Sequence, residues 1–372
     1  MKKNLVIVTN IIPHYNLSFY ARLTSELKEK YNVIIIADQA SDSDVFVKNE
    51  EEADINVVSL PFLKTGRFTY RKGLVGALRR LNPDKVVVYG NPRDMAVWLV
   101  LIYLKLTRKW CAAYGMFHRI GGMNRFSRVA YKAFGILSRK LFTYSRRGAI
   151  TLDALGVDSN KIKVIGTAID NNEEIQIFDK DTQAKFVADH QLEGKTVVLQ
   201  VVRLSAYKKP GFIVDAAQEM ILKNKRLLFV LIGGGELLEE LKVKVARLEL
   251  EQSIRILGPC YDKNQLSLWF SVAKISIVPT CIGLSAHHSL GFGVPVMTDD
   301  SIANQASEFD ILQHGLNAVV YKEGSINDFI LKLESFLDNE KMQESLSQGA
   351  LNTIKYNSNL ETKVRNFIDA LS

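Results

Sequence analysis

Cysteine is scarce in this sequence. Cys111, Cys260 and Cys281 are the only three, far apart and without a CxxC pair. That pattern excludes a disulfide framework and a thiolate metal site, and predicts a reduced compartment. Long apolar runs are also missing. The run at 5–8, behind Met1-Lys2-Lys3-Asn4, is too short for the core of a secretion signal, so a cytoplasmic protein is expected. The run at 95–104 is bracketed by Arg93-Asp94 and Lys105. It falls short of the roughly 20 residues that cross a bilayer and reads as a buried helix. Short-period repeats and low-complexity tracts are absent. Finally, acid is missing from one whole segment: between Asp94 and Asp153 there is no Asp or Glu, while Lys and Arg occur eleven times.

What is present is an ordinary globular composition. Hydrophobic residues make up 47% and charged residues 24% of 372 residues, a length that favours two or three domains. The net charge of +8 admits nucleic acid, an anionic membrane or a phosphorylated substrate as partner. The excess sits in the acid-free segment, and the rest of the chain is close to neutral.

Short β-branched runs recur, each followed by a helical pattern. Strands are predicted at 5–8, 33–37, 86–89, 111–114, 141–144 and 163–165. A polar stretch follows, and a second series begins at 196–202, with 227–232, 254–257, 275–278, 294–297 and 318–320. Continuous apolar runs of this length suit parallel strands covered on both faces. Alternation with helices implies right-handed βαβ units. The fold class expected is therefore α/β, with two Rossmann-like doubly wound domains facing across a cleft. The domains read as 1–170, a linker at 171–194, a second domain at 195–355, and a C-terminal helix within 356–372 that packs back towards the first.

Three motifs carry chemistry. Arg203-Leu204-Ser205-Ala206-Tyr207-Lys208-Lys209-Pro210 follows the first strand of the second series, and two cations on a strand-end loop suit a diphosphate. The same segment also reads as a solvated basic turn. Gly233-Gly234-Gly235-Glu236 lies between strand and helix, where glycine admits a ligand to the backbone or simply makes a tight turn. It is not a dinucleotide fingerprint, because Leu238 stands where the third glycine belongs. The third motif runs from Pro279-Thr280-Cys281-Ile282-Gly283 through Leu284, Ser285 and His288 to Gly293-Val294-Pro295-Val296. Here N–H groups at the helix start, at Gly283, Leu284 and Ser285, would face a phosphate, with His288 one turn deeper.

The order of these motifs, continued by Asn304-Gln305, Glu308 and His314-Gly315-Leu316-Asn317, resembles family 4 of the retaining glycosyltransferases, which have the GT-B fold. The resemblance covers about 195–355 and is looser in the first half, where 155–170 looks like the crossover segment. His288-Ser289-Leu290 resembles the branches that assemble bacterial surface polysaccharides. The resemblance implies a metal-independent enzyme without a cofactor, which uses a nucleotide-diphosphate-sugar as substrate. Arg203 and Lys208 match the pair that holds the diphosphate, and Gly283 and Leu284 the loop on the distal phosphate. Leu257-Gly258-Pro259 match the segment flanking the base, with Gly234, Ser285, Asn304, Gln305 and Glu308 also on the donor side. His118 falls where such enzymes place a histidine near the donor sugar. One departure stands out: where the family carries Glu-x7-Glu, this chain has Thr280 and His288.

The acceptor expected is a glycan or a polyprenyl-linked sugar. Arg119, Arg125, Arg128, Lys132 and Arg139 would face an anionic membrane, placing the protein on the inner face of the plasma membrane. The bland alternative is a solvated basic face. Nucleic acid is not expected as a partner, since no recognition-module signature occurs. Asp42-Ser43-Asp44 and Asp179-Lys180-Asp181 match a metal-binding Asp-x-Asp but lie in polar stretches and read as solvated loops. Two rival functions stay open: a GT-B-like sugar-nucleotide epimerase, and a non-catalytic sugar-nucleotide-binding or assembly protein.

Overall fold

The computed structural model describes residues 2–38 and 54–372. The chain divides into two compact units. The first comprises Met1–Asp170 and Leu360–Ser372, the second Asn171–Asn359.

In the first unit, a parallel sheet is built from β1 (Lys3–Val8), β2 (Tyr31–Ala37), β3 (Asn56–Ser59), β6 (Lys85–Tyr89), β7 (Trp110–Gly115), β8 (Lys140–Thr143) and β9 (Ile162–Val164). A separate antiparallel hairpin joins β4 (Leu63–Thr65) and β5 (Phe68–Tyr70). The sheet order is β3-β2-β1-β6-β7-β8-β9, so the winding reverses between β1 and β6. Alternate side chains go to opposite faces. Val6, Val8, Ile34, Ile36, Val86 and Val88 pack with α2 (Leu74–Leu81) and α3 (Met95–Leu106), while Leu5, Ile7, Val33, Ile35 and Val87 pack with α1 (His14–Leu27). This is why the strands read as unbroken apolar runs. α4 (Arg125–Leu137) and α5 (Arg146–Ala154) complete the succession.

The helix expected to be buried at 95–104 is α3, and the structure corrects that reading. Ala96, Val97, Val100, Leu101 and Leu104 are buried, but Met95, Leu99, Ile102 and Leu106 are exposed. The helix is apolar on both faces and covered on one.

In the second unit, β10 (Thr196–Val201), β11 (Leu227–Ile232), β12 (Ile254–Gly258), β13 (Ala273–Ile277), β14 (Val296–Asp299) and β15 (Ala318–Tyr321) form a parallel sheet of order β12-β11-β10-β13-β14-β15. Its switch point lies between β10 and β13, the crevice where α/β sheets bind ligands. The stretch read as a linker is folded into this unit. It contains α6 (Asn171–Glu174) and α7 (Lys180–Asp189), and Phe186 of α7 is buried 5.0 Å from the Trp269 ring. The remaining helices of the unit are α8 (Pro210–Lys223), α9 (Leu238–Arg247), α10 (Lys263–Val272), α11 (Ser285–Gly291), α12 (Ile326–Leu337) and α13 (Glu340–Asn352).

The last helix, α14 (Leu360–Ala370), belongs to the first unit. Its Phe367 is fully buried and meets Phe19, Tyr114 and Phe142 at ring distances of 5.6, 5.5 and 5.2 Å.

Candidate functional site

The strand-end loops of the second unit build the site. The loop after β10 is pinned to the glycine loop after β11: Leu204 N donates to Gly234 O (2.8 Å), Leu237 N to Leu204 O (3.1 Å) and Ala206 N to Glu236 Oε1 (3.2 Å). Two of the three glycines are required for that approach. A Cβ on Gly233 would stand 1.8 Å from Val202 O, and one on Gly235 would stand 2.2 Å from Leu204 O. Both have φ near +150°, where L side chains are strained. The tight-turn reading of Gly233 and Gly235 therefore accounts for them. Gly234 is different, since its added Cβ would meet Pro259 at an ordinary 3.4 Å. Backbone amides, its own and that of Ala206, hold the Glu236 carboxyl below its usual range, with Arg203 adding a smaller pull.

Lys208 joins this corner to a loop distant in sequence. It closes a short 3-10 turn, Ala206–Lys208, before Pro210 opens α8. Its side chain is buried, and its Nζ donates to the carbonyl of Cys281, 73 residues on. A Cβ on Gly283 would lie 3.8 Å from that Nζ. Thus the first and third sequence motifs meet at one cation. Neighbouring Lys209 turns away to Glu323 (3.3 Å), and Arg203 is exposed at the end of β10.

The loop after β13 is held rigidly from behind. Tyr321 Oη donates to Pro279 O (3.0 Å), and Ile282 N donates to Gln305 Oε1 (2.8 Å). Gln305 Nε2 in turn donates to Thr298 Oγ1, Asp299 O and Asp299 Oδ1 at 3.0, 3.1 and 2.9 Å. Gln305 is thus a buried strut under the loop. Asn304 donates to Ser301 Oγ and Glu323 Oε1, both at 2.9 Å, and Glu308 is half-buried on the turn Ser307–Ile311. Ala286 N and His287 N are the donors that close the start of α11, onto Gly283 O and Leu284 O, each at 2.9 Å. Gly283, Leu284 and Ser285 precede them at the mouth of the helix. His288 is half-buried, its ring stacked on Phe270 at 6.4 Å. Leu257 is exposed at the end of β12, and the carbonyl of Gly258 accepts from Gly233 N at 2.8 Å. The carboxyl ends of β10, β11, β12 and β13 therefore gather the cations, the glycines and the α11 start.

Asp299 was not singled out from sequence. It ends β14 as a buried carboxyl. Burial pushes its pKa up, against the pull of the Ser301 amide and the Thr280 hydroxyl. The available signal was a carboxylate closing an apolar strand run.

In the first unit, His118 is buried on the loop after β7, its Nδ1 3.1 Å from Met116 O. Phe117 before it has φ +51, an outlier for a bulky residue. Arg119 is committed within the unit, donating to Ser127 Oγ at 3.1 Å and accepting Arg147 Nη2 on its carbonyl at 3.4 Å. Arg125, Arg128 and Lys132 are exposed on α4, but α4 ends at Leu137, so Arg139 does not continue their face. Sequence reasoning also missed a buried ion pair. Arg71 Nε lies 3.7 Å from Asp94 Oδ2, Arg71 Nη2 donates to Asn10 Oδ1 (2.6 Å), and Asp94 Oδ1 accepts Ala96 N (3.1 Å) to cap α3. Burial lowers the pKa of Arg71 and raises that of Asp94.

Of the two Asp-x-Asp candidates, Asp42-Ser43-Asp44 lies outside the described residues. Asp179 is the N-cap of α7, accepting Thr182 N at 2.7 Å. Among the described residues no group of three or more His, Cys, Asp or Glu could hold a metal ion, and no helix is long and apolar enough to cross a membrane.

Comparison with known proteins bears on both halves. The family model for glycosyl transferases group 1 matches residues 182–353, inside the second unit. A 2-deoxystreptamine N-acetyl-D-glucosaminyltransferase of Niallia circulans is 24% identical over 222 residues, which are 59% of this chain and 53% of the relative. The match thus spans about half of that relative's length. The crystal structure of Anabaena HepE in complex with UDP aligns over 100% of this chain and 99% of its own, with TM-score 0.78 and 15% identity. A glycosyltransferase of Rickettsia africae aligns over 99% and 97%, with TM-score 0.75 and 14% identity. The fold is GT-B, two Rossmann-like units each wound on a parallel sheet.

Proposed function

We propose that this chain is a glycosyltransferase that takes a sugar from a nucleotide-diphosphate donor, with retention and without a metal. The observation that carries this reading is the Lys208 ammonium, buried against the Cys281 carbonyl and beside Gly283, within the segment matched by the group 1 model. Lys208 and Arg203 neutralise the nucleoside diphosphate as it leaves, and N–H groups at the Gly283–Leu284–Ser285 turn take the distal phosphate. Preorganised cations and dipoles of this kind stabilise charge where it develops. His288 contacts the ribose or a phosphate. A uridine nucleotide is favoured, since HepE was crystallised with UDP. The acceptor is a glycan or a polyprenyl-linked sugar in surface-polysaccharide synthesis. A lipid-linked acceptor brings the protein to an anionic membrane surface, which the acid-free segment suits.

A thermal-shift screen against UDP-, GDP-, ADP- and CMP-sugars tests the reading, because ligand binding raises apparent stability. UDP-sugars should raise Tm, transfer should survive EDTA, and Lys208→Ala should weaken donor binding and slow transfer by roughly 2–4 kcal/mol. Full activity in Lys208→Ala would overturn the assignment. Loss of transfer with EDTA, restored by Mn²⁺, would revive the Asp-x-Asp motifs. Donor binding without turnover across an acceptor panel would favour a binding protein, and donor conversion without acceptor an epimerase.

A further inference from the structure

α3 presents an unusual surface. Met95, Leu99, Ile102 and Leu106 are 45, 50, 45 and 79% exposed. Their spacing of i, i+4, i+7 and i+11 places all four in one stripe along the helix. No polar side chain interrupts the stripe. α4 lies alongside: Trp98 and Phe134 approach to 4.5 Å between ring centroids, and Lys105 Nζ donates to Ile136 O at 3.3 Å. The exposed side of α4 alternates Phe126, Val129 and Ile136 with Arg125, Arg128 and Lys132. No carboxylate occurs anywhere between Asp94 and Asp153.

A contiguous apolar stripe left uncovered on a folded unit marks a contact surface. Its chemistry selects the partner. A protein surface of ordinary composition would be met by acids as well as bases, whereas this face has only cations around an apolar centre. Helices that lie in a bilayer interface have that arrangement, apolar side chains entering the acyl boundary and Lys or Arg reaching headgroup phosphates. At 12 residues, α3 is about 18 Å long and cannot span a core of about 30 Å, so it lies in the plane.

We propose that the α3–α4 face of the first unit docks on an anionic lipid bilayer, the α3 stripe inserting into the interface and Arg125, Arg128 and Lys132 binding headgroup phosphates. The proposal deepens the membrane-surface part of the function above, and rests on it for the lipid-linked acceptor. It also changes the attachment expected from sequence. Charge is the rim, and the anchor is the exposed apolar stripe of α3. Arg119, bonded to Ser127, is not among the headgroup ligands.

Sedimentation of the full chain with vesicles tests it. Binding is expected to phosphatidylcholine vesicles containing phosphatidylglycerol and not to phosphatidylcholine alone, falling as salt is raised. Arg125→Glu/Arg128→Glu/Lys132→Glu should weaken binding roughly 100-fold or more, at about 1 kcal/mol for each basic residue. Leu99→Glu/Ile102→Glu, on the exposed side of α3, should weaken it at least about tenfold. In both variants the Tm shift given by a UDP-sugar should match the unmodified protein, which shows that the fold and donor site are intact. Unchanged vesicle binding in Leu99→Glu/Ile102→Glu would overturn the proposal. So would an unmodified protein that fails to bind anionic vesicles but forms a dimer which that variant dissociates, because the face would then be a subunit contact. Vesicle binding without any donor-induced Tm shift would instead sink the transferase reading and leave the docking face standing.

Discussion

The two units share a plan and differ in what they put at the ends of their strands. Both wind a parallel sheet outward from a central switch point, between β1 and β6 in one and between β10 and β13 in the other. In the second unit the strand ends are organised around backbone: two glycines let loops touch, and the Gln305 amide and Lys208 ammonium each bond to a main-chain group of the loop after β13. In the first, the corresponding ends and neighbouring loops carry side chains: Asn10, Asp94 and Arg71 tied together, and His118 on a strained loop. Backbone amides recognise an anion whatever it is attached to, while side chains in fixed positions recognise a shape. Under the function proposed above, the difference suits a diphosphate common to many donors on the second unit and an acceptor particular to one enzyme on the first.

The comparison can be broken from the first-unit side by Asp94→Ala. Removing one partner of a buried ion pair typically costs about 3–5 kcal/mol, and here it also uncaps α3. Trp98 and Trp110 lie in the first unit and Trp269 in the second, so urea unfolding in a Trp269→Phe background follows the first unit and in a Trp98→Phe/Trp110→Phe background the second. The Trp98/Trp110 transition should move to lower urea with the Trp269 transition unchanged. Movement of both together would show that the two units do not unfold independently.

The mirror experiment is Gly233→Ala. Its methyl would collide with the Val202 carbonyl at a φ that disfavours L residues, and a loss of about 3 kcal/mol is expected. This time Trp269 should respond and the other two tryptophans should not. A Trp269 transition that stayed in place would show that the two loops separate at little cost, and would weaken the case for a preformed site.

The smallest effect belongs to the second unit and is set by pH. The Asp179 carboxyl is held low by the Thr182 amide, so the stability it gives α7 is present above the ordinary carboxylate range and is lost as pH falls below about 4. Hydrogen exchange, corrected for intrinsic rates, should show the first turn of α7 loosening on acidification. Unchanged protection of that turn across the same range would contradict the shift.

The second unit was the more legible in sequence for the same reason that its loops are backbone-based. Glycine spacing, a lysine before Pro210 and a glycine before α11 are local patterns. Their meeting at Lys208 follows from adjacent parallel strands. Asp299 and Gln305 were harder to assign, because whether a polar residue supports a loop or faces a ligand depends on which way it points. In the first unit the Arg71–Asp94 pair is invisible to any local pattern, and α3 misled. Periodicity reveals the covered side of a helix only when the other side is polar. Since 95–104 is apolar all round, only the packing shows that one side stays uncovered.

The placement of α14 has a consequence for how the chain is made. A ribosome delivers residues in order, and domains generally fold as units when their sequence has emerged. The second unit is continuous, Asn171–Asn359, whereas the first needs both Met1–Asp170 and Leu360–Ser372. Phe367, which fills the aromatic cluster of Phe19, Tyr114 and Phe142, arrives only after the whole second unit has been synthesised. The part translated first is therefore completed last. Throughout that interval the nascent first unit exposes the cluster that Phe367 will close, and chaperones have that window in which to protect it.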